Sequence, residues 1–247
     1  MAGHNKWKQI KRKKAVTDAR RGAHFTKLIK EITVAARSGG GDPAGNARLR
    51  TAIDAAKQAN MPLDNIERAV KKGTGALEGV HYEEITYEGY GPGGAAILIE
   101  VTTDNANRTV ADIRHIFDKH GGKLAASGSV AFQFDKVGQL YLDATRVEED
   151  AAMEAALDAG ATDFVREGDQ YVVTTAVAGL HAVQEVLRSR GIVPESAEIA
   201  MIPKSTVKVE GRNAETLVKL MEALEEHDDV SRVSSNFDVD FEALAGV

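Results

Sequence analysis

Residues 138–202 read GQLYLDATRVEEDAAMEAALDAGATDFVREGDQYVVTTAVAGLHAVQEVLRSRGIVPESAEIAMI. Short apolar runs that are typical of strands alternate here with longer stretches of helical periodicity. The predicted order is strand, helix, strand, strand, helix, strand, which is the order of the ferredoxin-like unit. The predicted elements are Gln139–Leu142, Glu148–Leu157, Phe164–Arg166, Tyr171–Thr175, Leu180–Arg188 and Glu198–Ile202.

The segments on either side of this unit each carry part of a similar pattern. Residues 80–135 predict strands and one helix, with a glycine-rich hairpin turn at 89–94, and residues 205–240 predict a helix between two strands. We therefore expect 80–135 and 205–240 to form one discontinuous α/β domain, with 136–204 inserted as a ferredoxin-like domain; three sequential units are the alternative. The flanking strands are predicted at 84–88, 95–101, 130–134, 206–210 and 232–239.

Residues 1–79 predict a helical domain that begins with a basic arm. Apolar residues recur at helical spacing from Arg21 to the glycines at 39–41. A second helix is predicted to start near Asp42-Pro43, and a third runs from Leu63 to Gly73. The predicted fold class is therefore α+β and multidomain: a helical domain with a basic arm, then two ferredoxin-like α/β domains, one inserted in the other.

Charge is segregated along the chain. Residues 1–75 contain 17 Lys and Arg against 6 Asp and Glu, a net charge of +11, whereas residues 76–247 contain 14 against 31, a net charge of −17. Such asymmetry indicates a polyanionic partner for the basic part. A solvated lysine-rich surface is the alternative, but residues 1–30 hold ten Lys and Arg and a single acid, Asp18.

Lysine and arginine neutralise phosphates and release counterions, so basic residues of the arm and of one face of the first helix are the candidate site. At 100° per residue the basic residues of this helix cluster opposite its apolar stripe. Trp7 either stacks on a base or anchors the arm in a core. The predicted nucleic-acid-binding residues are Lys6, Lys8, Lys11, Arg12, Lys13, Lys14, Arg20, Lys27, Lys30 and Arg37.

The residues that other kinds of functional site require are missing from this sequence or are wrongly spaced. The chain has no cysteine, and His115 and His120 are five apart, whereas four would align two imidazoles on a helix. The 89–94 turn lacks the Lys-Ser/Thr of a phosphate-binding loop, and Asp104 with Arg108 fits helix capping plus an ion pair. We predict no catalytic residue, metal or cofactor. Without a long apolar run or a signal sequence, we expect a cytoplasmic protein with no membrane partner.

Several stretches together resemble the YebC/PmpR family. The resemblance implies a cytoplasmic three-domain protein, described in bacteria as a DNA-binding transcriptional regulator, with mitochondrial relatives that activate translation and bacterial members linked to relief of ribosome stalling. Asn5 and Ala106 depart from the family pattern, which often has serine and a basic residue there. The stretches are Met1–Trp7, Gly41–Asn46, Met61–Gly75, Tyr87–Gly94, Thr103–Asn105, Asn107–Thr109 and Gly128–Phe132.

The expected function is a non-enzymatic, nucleic-acid-binding regulator of gene expression that acts as a monomer on duplex DNA. The alternative is a ribosome-associated translation factor whose basic domain binds ribosomal RNA; a small-molecule enzyme would need an additional pocket. The third helix is predicted to expose Asp64, Asn65 and Glu67 beside Arg68 and Lys71. This mixed charge favours recognition of phosphate or shape over reading of base edges.

Overall fold

The structure is a computed structural model that describes residues 18–240, with side chains from Gly22 onward. Seven helices lie in this range: α1 Asp18–Gly39, α2 Ala47–Gln58, α3 Leu63–Gly73, α4 Ala106–Lys119, α5 Glu149–Asp158, α6 Leu180–Ser189 and α7 Gly211–Glu226. Ten strands accompany them: β1 Glu83–Tyr90, β2 Ala96–Thr103, β3 Lys123–Ala125, β4 Phe134–Asp143, β5 Asp163–Glu167, β6 Gln170–Thr175, β7 Ser196–Pro203, β8 Val207–Lys208, β9 Val230–Ser235 and β10 Phe237–Asp238. The expected mixture of N-terminal helices and later α/β structure is confirmed.

The described residues form two compact units. One contains the chain up to Phe134 and from Pro203 onward, and the other is Asp135–Ile202. In the second unit the sheet order is β5-β6-β4-β7, and α5 and α6 cover it. The strand-helix-strand-strand-helix-strand order expected for residues 138–202 is confirmed.

The first unit holds a sheet with the order β3-β1-β2-β9, whose neighbouring strands are antiparallel. Its first two strands form a hairpin across the predicted 89–94 turn, so its elements do not follow the strand-helix-strand order of the second unit. We call the elements of residues 83–134 and 203–240 the body. The core between its sheet and helices α4 and α7 includes Ile97, Ile99, Ile113, Phe117, Leu217 and Leu220.

Two predicted elements of the first unit were wrong. Helix α2 begins at Ala47 and not near Asp42, because the buried Asn46 caps it by accepting from the Leu49 N–H at 3.1 Å, while Asp42 accepts from the Ala44 N–H in the preceding turn. The strand predicted at 130–134 is a short 3-10 turn at Ala131–Gln133, and β4 starts only at Phe134.

Helices α1, α2 and α3 pack around a shared core that includes Ile32, Leu49, Ala56 and Ile66. Helices α1 and α3 approach closely at Gly73, where an added Cβ would overlap the Thr33 carbonyl oxygen of α1. Among the described residues no helix is both long enough and apolar enough to cross a membrane.

We expect Gly73→Ala to destabilise the protein by about 1–3 kcal/mol, because the helix backbones must separate to admit the methyl group. Urea unfolding measures the change in the free energy of unfolding. Gly22→Ala is the matched control, because a Cβ there meets nothing within 4 Å. In a helix that exchange should stabilise by roughly 0.5–1 kcal/mol. Equal effects of the two substitutions would contradict this account of the packing.

Candidate nucleic-acid interface

The predicted nucleic-acid-binding residues fall on both sides of Gly22, where the described side chains begin. Lys27, Lys30 and Arg37 of α1 are described, and the structure places each of them. The remaining predicted residues lie outside the described side chains, and their roles stay predictions. They are Lys6, Trp7, Lys8, Lys11, Arg12, Lys13, Lys14 and Arg20, of which only Arg20 falls in a described element, the first turn of α1.

Lys30 is buried, with 7% of its surface exposed. Its ammonium nitrogen donates to the carbonyl oxygens of Thr102 and Asp228 at 3.2 and 3.0 Å, and to Asp229 Oδ1 at 2.6 Å. A lysine ammonium has three donors, so all of them are used inside the protein. The expectation that Lys30 lies on a free polar face is therefore wrong.

The other two described cations of α1 also reach carbonyl groups. The Lys27 ammonium donates to the Glu225 carbonyl oxygen at 2.5 Å, at the end of α7. Arg37 is exposed, and its guanidinium donates to the carbonyl oxygens of Val80 and Tyr82 at 3.3 and 3.5 Å. Lysine side chains at the end of a helix stabilise its unpaired carbonyls. The polar face of α1 therefore contributes to packing within the first unit.

Asp229 accepts hydrogen bonds from two elements of the body as well as from α1. Its Oδ2 atom accepts from Arg108 and Thr109 at 2.7 Å each, and from Thr103 Oγ1 at 3.2 Å. With Lys30 on Oδ1, four donors meet a carboxylate that offers about four acceptor sites. We call this set of residues the Asp229 cluster. It joins α1, the end of β2, the start of α4 and the turn before β9.

The hydrogen-bond partners of Asp229 stabilise its ionised form. Burial alone raises the pKa of its carboxyl, but the hydrogen bonds from Arg108, Lys30 and Thr109 outweigh burial, so the pKa lies well below its ordinary value. The carboxylate is therefore ionised at neutral pH, and the folded state favours that form.

Arg48 connects the helices to the body a second time. From α2 its guanidinium makes two hydrogen bonds to Glu31 of α1, at 2.8 and 3.0 Å, and two to Glu84 of β1, at 3.1 and 2.5 Å. These hydrogen bonds raise the pKa of Arg48 above its ordinary value. Because the three side chains are about one-third to one-half exposed, the contact orients the elements more than it stabilises them.

The excess positive charge of the N-terminal part lies in its first residues. Residues 22–79 contain nine Lys and Arg against six Asp and Glu, whereas residues 1–21 contain eight against one. The depression beside α3 is lined by Asp64, Glu67, Arg68, Lys71 and Leu77, so its charge is mixed. Within the described residues no group of three acidic or histidine side chains could hold a metal ion.

Sequence reasoning missed the Asp229 cluster. Helical periodicity indicates which side of α1 is polar, but Lys30 and Asp229 are 199 positions apart and no local pattern links them. The pairing of Asp104 with Arg108 was predicted and is confirmed at 2.9 Å. The sequence did offer one signal, the threonines Thr103 and Thr109 on either side of a predicted helix cap. In the structure their hydroxyls lie within hydrogen-bond distance of each other and of the buried Asp229 carboxylate.

Two family models together match most of the chain. The family described as "TACO1/YebC second and third domain" matches residues 82–237, and the family described as "TACO1/YebC protein N-terminal domain" matches residues 5–76. Both models therefore point to the same kind of protein.

Individual proteins resemble the chain along its whole length. Proteins named "Probable transcriptional regulatory protein" from Gemmatimonas aurantiaca and Acidithiobacillus ferrooxidans are 58% and 57% identical over 245 residues, which is 99% of this chain and 99% and 98% of theirs. The crystal structure of a conserved hypothetical protein from Aquifex aeolicus is 47% identical, with a TM-score of 0.85, and the match covers 90% of this chain and 92% of that one.

Asp229→Asn should destabilise the protein at neutral pH by about 3–5 kcal/mol, because it leaves the Lys30 ammonium buried without a counter-charge. The folded-state pKa of Asp229 is lowered, so the stabilisation is present above the unfolded pKa of about 3.9 and is lost as pH falls below it. The difference in free energy of unfolding between the parent and Asp229→Asn should therefore become smaller as the pH falls. Urea unfolding from neutral pH to about pH 3 measures it.

Asp104→Asn is the matched control for this prediction, since Asp104 pairs with the same arginine but is 40% exposed. An exposed ion pair contributes about 0–1 kcal/mol, so this variant should stay close to the parent. Equal losses for the two asparagine variants, or a gap for Asp229→Asn that does not depend on pH, would contradict the assigned role of the Asp229 cluster.

Proposed function

Because the chain belongs to the TACO1/YebC family, we propose that it is a non-catalytic regulator of gene expression that binds nucleic acid through the basic residues of its N-terminal end. Relatives named "Probable transcriptional regulatory protein" support a role in transcription. Duplex DNA is the partner in this proposal. The protein acts in the cytoplasm and as a monomer in this proposal.

The distribution of charge carries this proposal. Lys27 and Lys30 donate to groups inside the first unit, so they contribute little to a phosphate surface. The largest excess of positive charge then lies in residues 1–21, which hold eight Lys and Arg and one acid. Residues 76–247 carry a net charge of −17 and repel phosphate. In this proposal phosphate is therefore attracted to the N-terminal end of the chain.

Phosphate contact, more than reading of bases, fits the helical part. A recognition helix in the major groove presents side chains that pair with base edges. Helix α3 instead exposes Asp64 and Glu67 beside Arg68 and Lys71, and acidic side chains are repelled by the phosphates that line the groove. Backbone contacts position a protein on nucleic acid without selecting a sequence.

A second candidate function is a ribosome-associated translation factor that binds ribosomal RNA. The observation that favours it is an exposed aromatic side chain in the body, Phe132, which is 67% exposed. Unpaired bases in RNA loops are commonly recognised by stacking on aromatic side chains. The same basic N-terminal residues would hold phosphate in this role.

Changing Lys11, Arg12, Lys13 and Lys14 together to alanine should weaken binding of duplex DNA nearly uniformly across sequences. If all four contact phosphates, the slope of log K against log salt should fall by up to about 3.6, since each contact contributes about 0.9. The loss at about 0.15 M salt should then be roughly 100- to 1000-fold. Fluorescence anisotropy with labelled duplexes at several salt concentrations measures both quantities.

A matched control removes the same charge from the body. Arg114, Lys119, Arg212 and Lys219 are exposed on α4 and α7, and their combined alanine variant should bind like the parent. Equal weakening of the two quadruple variants would show a general effect of net charge and would overturn the assignment to the N-terminal end.

Sedimentation of a cell lysate through a density gradient, with and without ribonuclease, separates the two roles. Migration with ribosomes that is lost in the N-terminal quadruple variant and after ribonuclease treatment supports the translation factor. A parent protein that stays away from ribosomes while binding duplex DNA supports the transcriptional role.

A further inference from the structure

Glu88 of β1 organises a turn that is distant in sequence. The side chain is buried, and its carboxylate accepts from the backbone N–H groups of Gly128 at 2.6 Å, Val130 at 2.5 Å and Ala131 at 2.9 Å. Burial raises the pKa of Glu88, but these backbone donors outweigh burial, so the pKa lies below its ordinary value. A charged acceptor therefore fixes the backbone of residues 128–131.

Three further hydrogen bonds fix the same segment, which we call the 128–133 turn. The Tyr90 hydroxyl donates to the Ser129 carbonyl oxygen at 3.0 Å. The Lys204 N–H donates to the Gln133 carbonyl oxygen at 2.8 Å, and the Asn236 amide donates to Gln133 Oε1 at 3.1 Å. The turn is thus attached to β1, to the segment after β7 and to the segment between β9 and β10.

This rigid turn presents one aromatic ring to solvent. Val130 and Phe134 on either side are 0% and 5% exposed, whereas Phe132 between them is 67% exposed. Fixing the backbone in advance lowers the conformational entropy that a binding partner must remove. The ring is therefore prepared for contact with a partner, while it contributes little to the core.

Two lysines belong to segments that are hydrogen-bonded to β1 or to the 128–133 turn. Tyr90 pairs with Lys123 in the β1–β3 ladder, so their side chains lie on the same face of the sheet, and Tyr90 reaches the 128–133 turn. Lys123 is exposed, and the Lys204 backbone is bonded to the turn itself. Glu88, whose carboxylate binds the turn, is buried and satisfied by amide donors. An exposed ring and an exposed lysine on the strand that pairs with β1 match the chemistry of a base and its phosphate.

We propose that Phe132 stacks on an unpaired nucleobase and that Lys123 contacts the adjoining phosphate. This inference rests on the proposed nucleic-acid function and adds to it a contact made by the body. The base must be unpaired, because both faces of a base in a duplex are covered by its neighbours. RNA and single-stranded DNA offer the same ring face, and the two sources are distinguished by the test.

The test uses the full chain and short single-stranded RNA, single-stranded DNA and duplex DNA of the same length. Phe132→Ala should lower the affinity for the single strands by roughly 5- to 150-fold, with little effect on the duplex. Phe132→Leu should lose nearly as much, because it keeps apolar area but has no ring face, and Phe132→Trp should retain the affinity. Lys123→Ala should lower the salt slope for single strands by about 0.7, whereas Phe132→Ala should leave that slope unchanged.

Two controls keep the result interpretable. Val193→Ala removes an apolar side chain that is 68% exposed in the second unit, and it should bind like the parent. Thermal unfolding of Phe132→Ala should match the parent, because the ring is exposed. As a direct readout, Phe132→Trp in a Trp7→Phe background carries a single tryptophan, whose fluorescence should be quenched by single strands and not by duplex.

Each outcome either supports or overturns the proposed stacking of Phe132 on a base. Equal quenching by RNA and DNA strands supports recognition of the base alone, and stronger quenching by RNA identifies RNA as the source. If the parent binds no nucleic acid, the proposed function fails together with this inference. If the parent binds and Phe132→Ala or Phe132→Leu binds equally well, only the stacking contact is overturned. It is also overturned if Phe132→Ala keeps its affinity for nucleic acid but no longer cosediments with a protein, which would show a protein-binding surface.

Discussion

The buried contact between Lys30 and Asp229 decides how the first helix is used. Each partner has its full set of hydrogen bonds, and separation would leave an unpaired charge in the interior, which is far less stable than the pair. Helix α1 is therefore held with its polar side toward the body. A helix whose spacing of basic residues suggests phosphate binding is therefore used for packing within the first unit.

Two buried carboxylates of the first unit each connect segments that are distant in sequence, but they accept from different kinds of donor. Asp229 is satisfied mainly by side chains, and it links elements from both ends of the chain. Glu88 is satisfied by backbone amides, and it shapes one turn. Amides that bind a carboxylate cannot pair in a strand ladder at the same time. This explains why residues 130–134, which alternate like a strand, form a turn that exposes Phe132.

The parts of the fold that sequence predicts are those that local spacing determines. Residues 138–202 show their elements because strand and helix periods alternate cleanly, and the glycines at 89–94 mark a hairpin. The start of α2 was misplaced because Asp42 and Asn46 both resemble caps, and only the buried contact of the Asn46 amide with the Ala35 carbonyl selects the second. The site was harder to predict, because a helical period shows that Lys30 is polar and says nothing about an acid almost two hundred positions away.

Net charge alone is therefore a poor guide to a binding surface in this protein. A cation that is already bonded to internal carbonyls and carboxylates releases few counterions when phosphate approaches, so it adds little to the salt dependence of binding. Phosphate contacts weaken as salt rises, whereas stacking of a base on an aromatic ring depends much less on ionic strength. A basic N-terminal end that attracts any polyanion, combined with an uncharged ring on an acidic body, would let long-range attraction bring the partner in while the ring retains only strands with accessible bases.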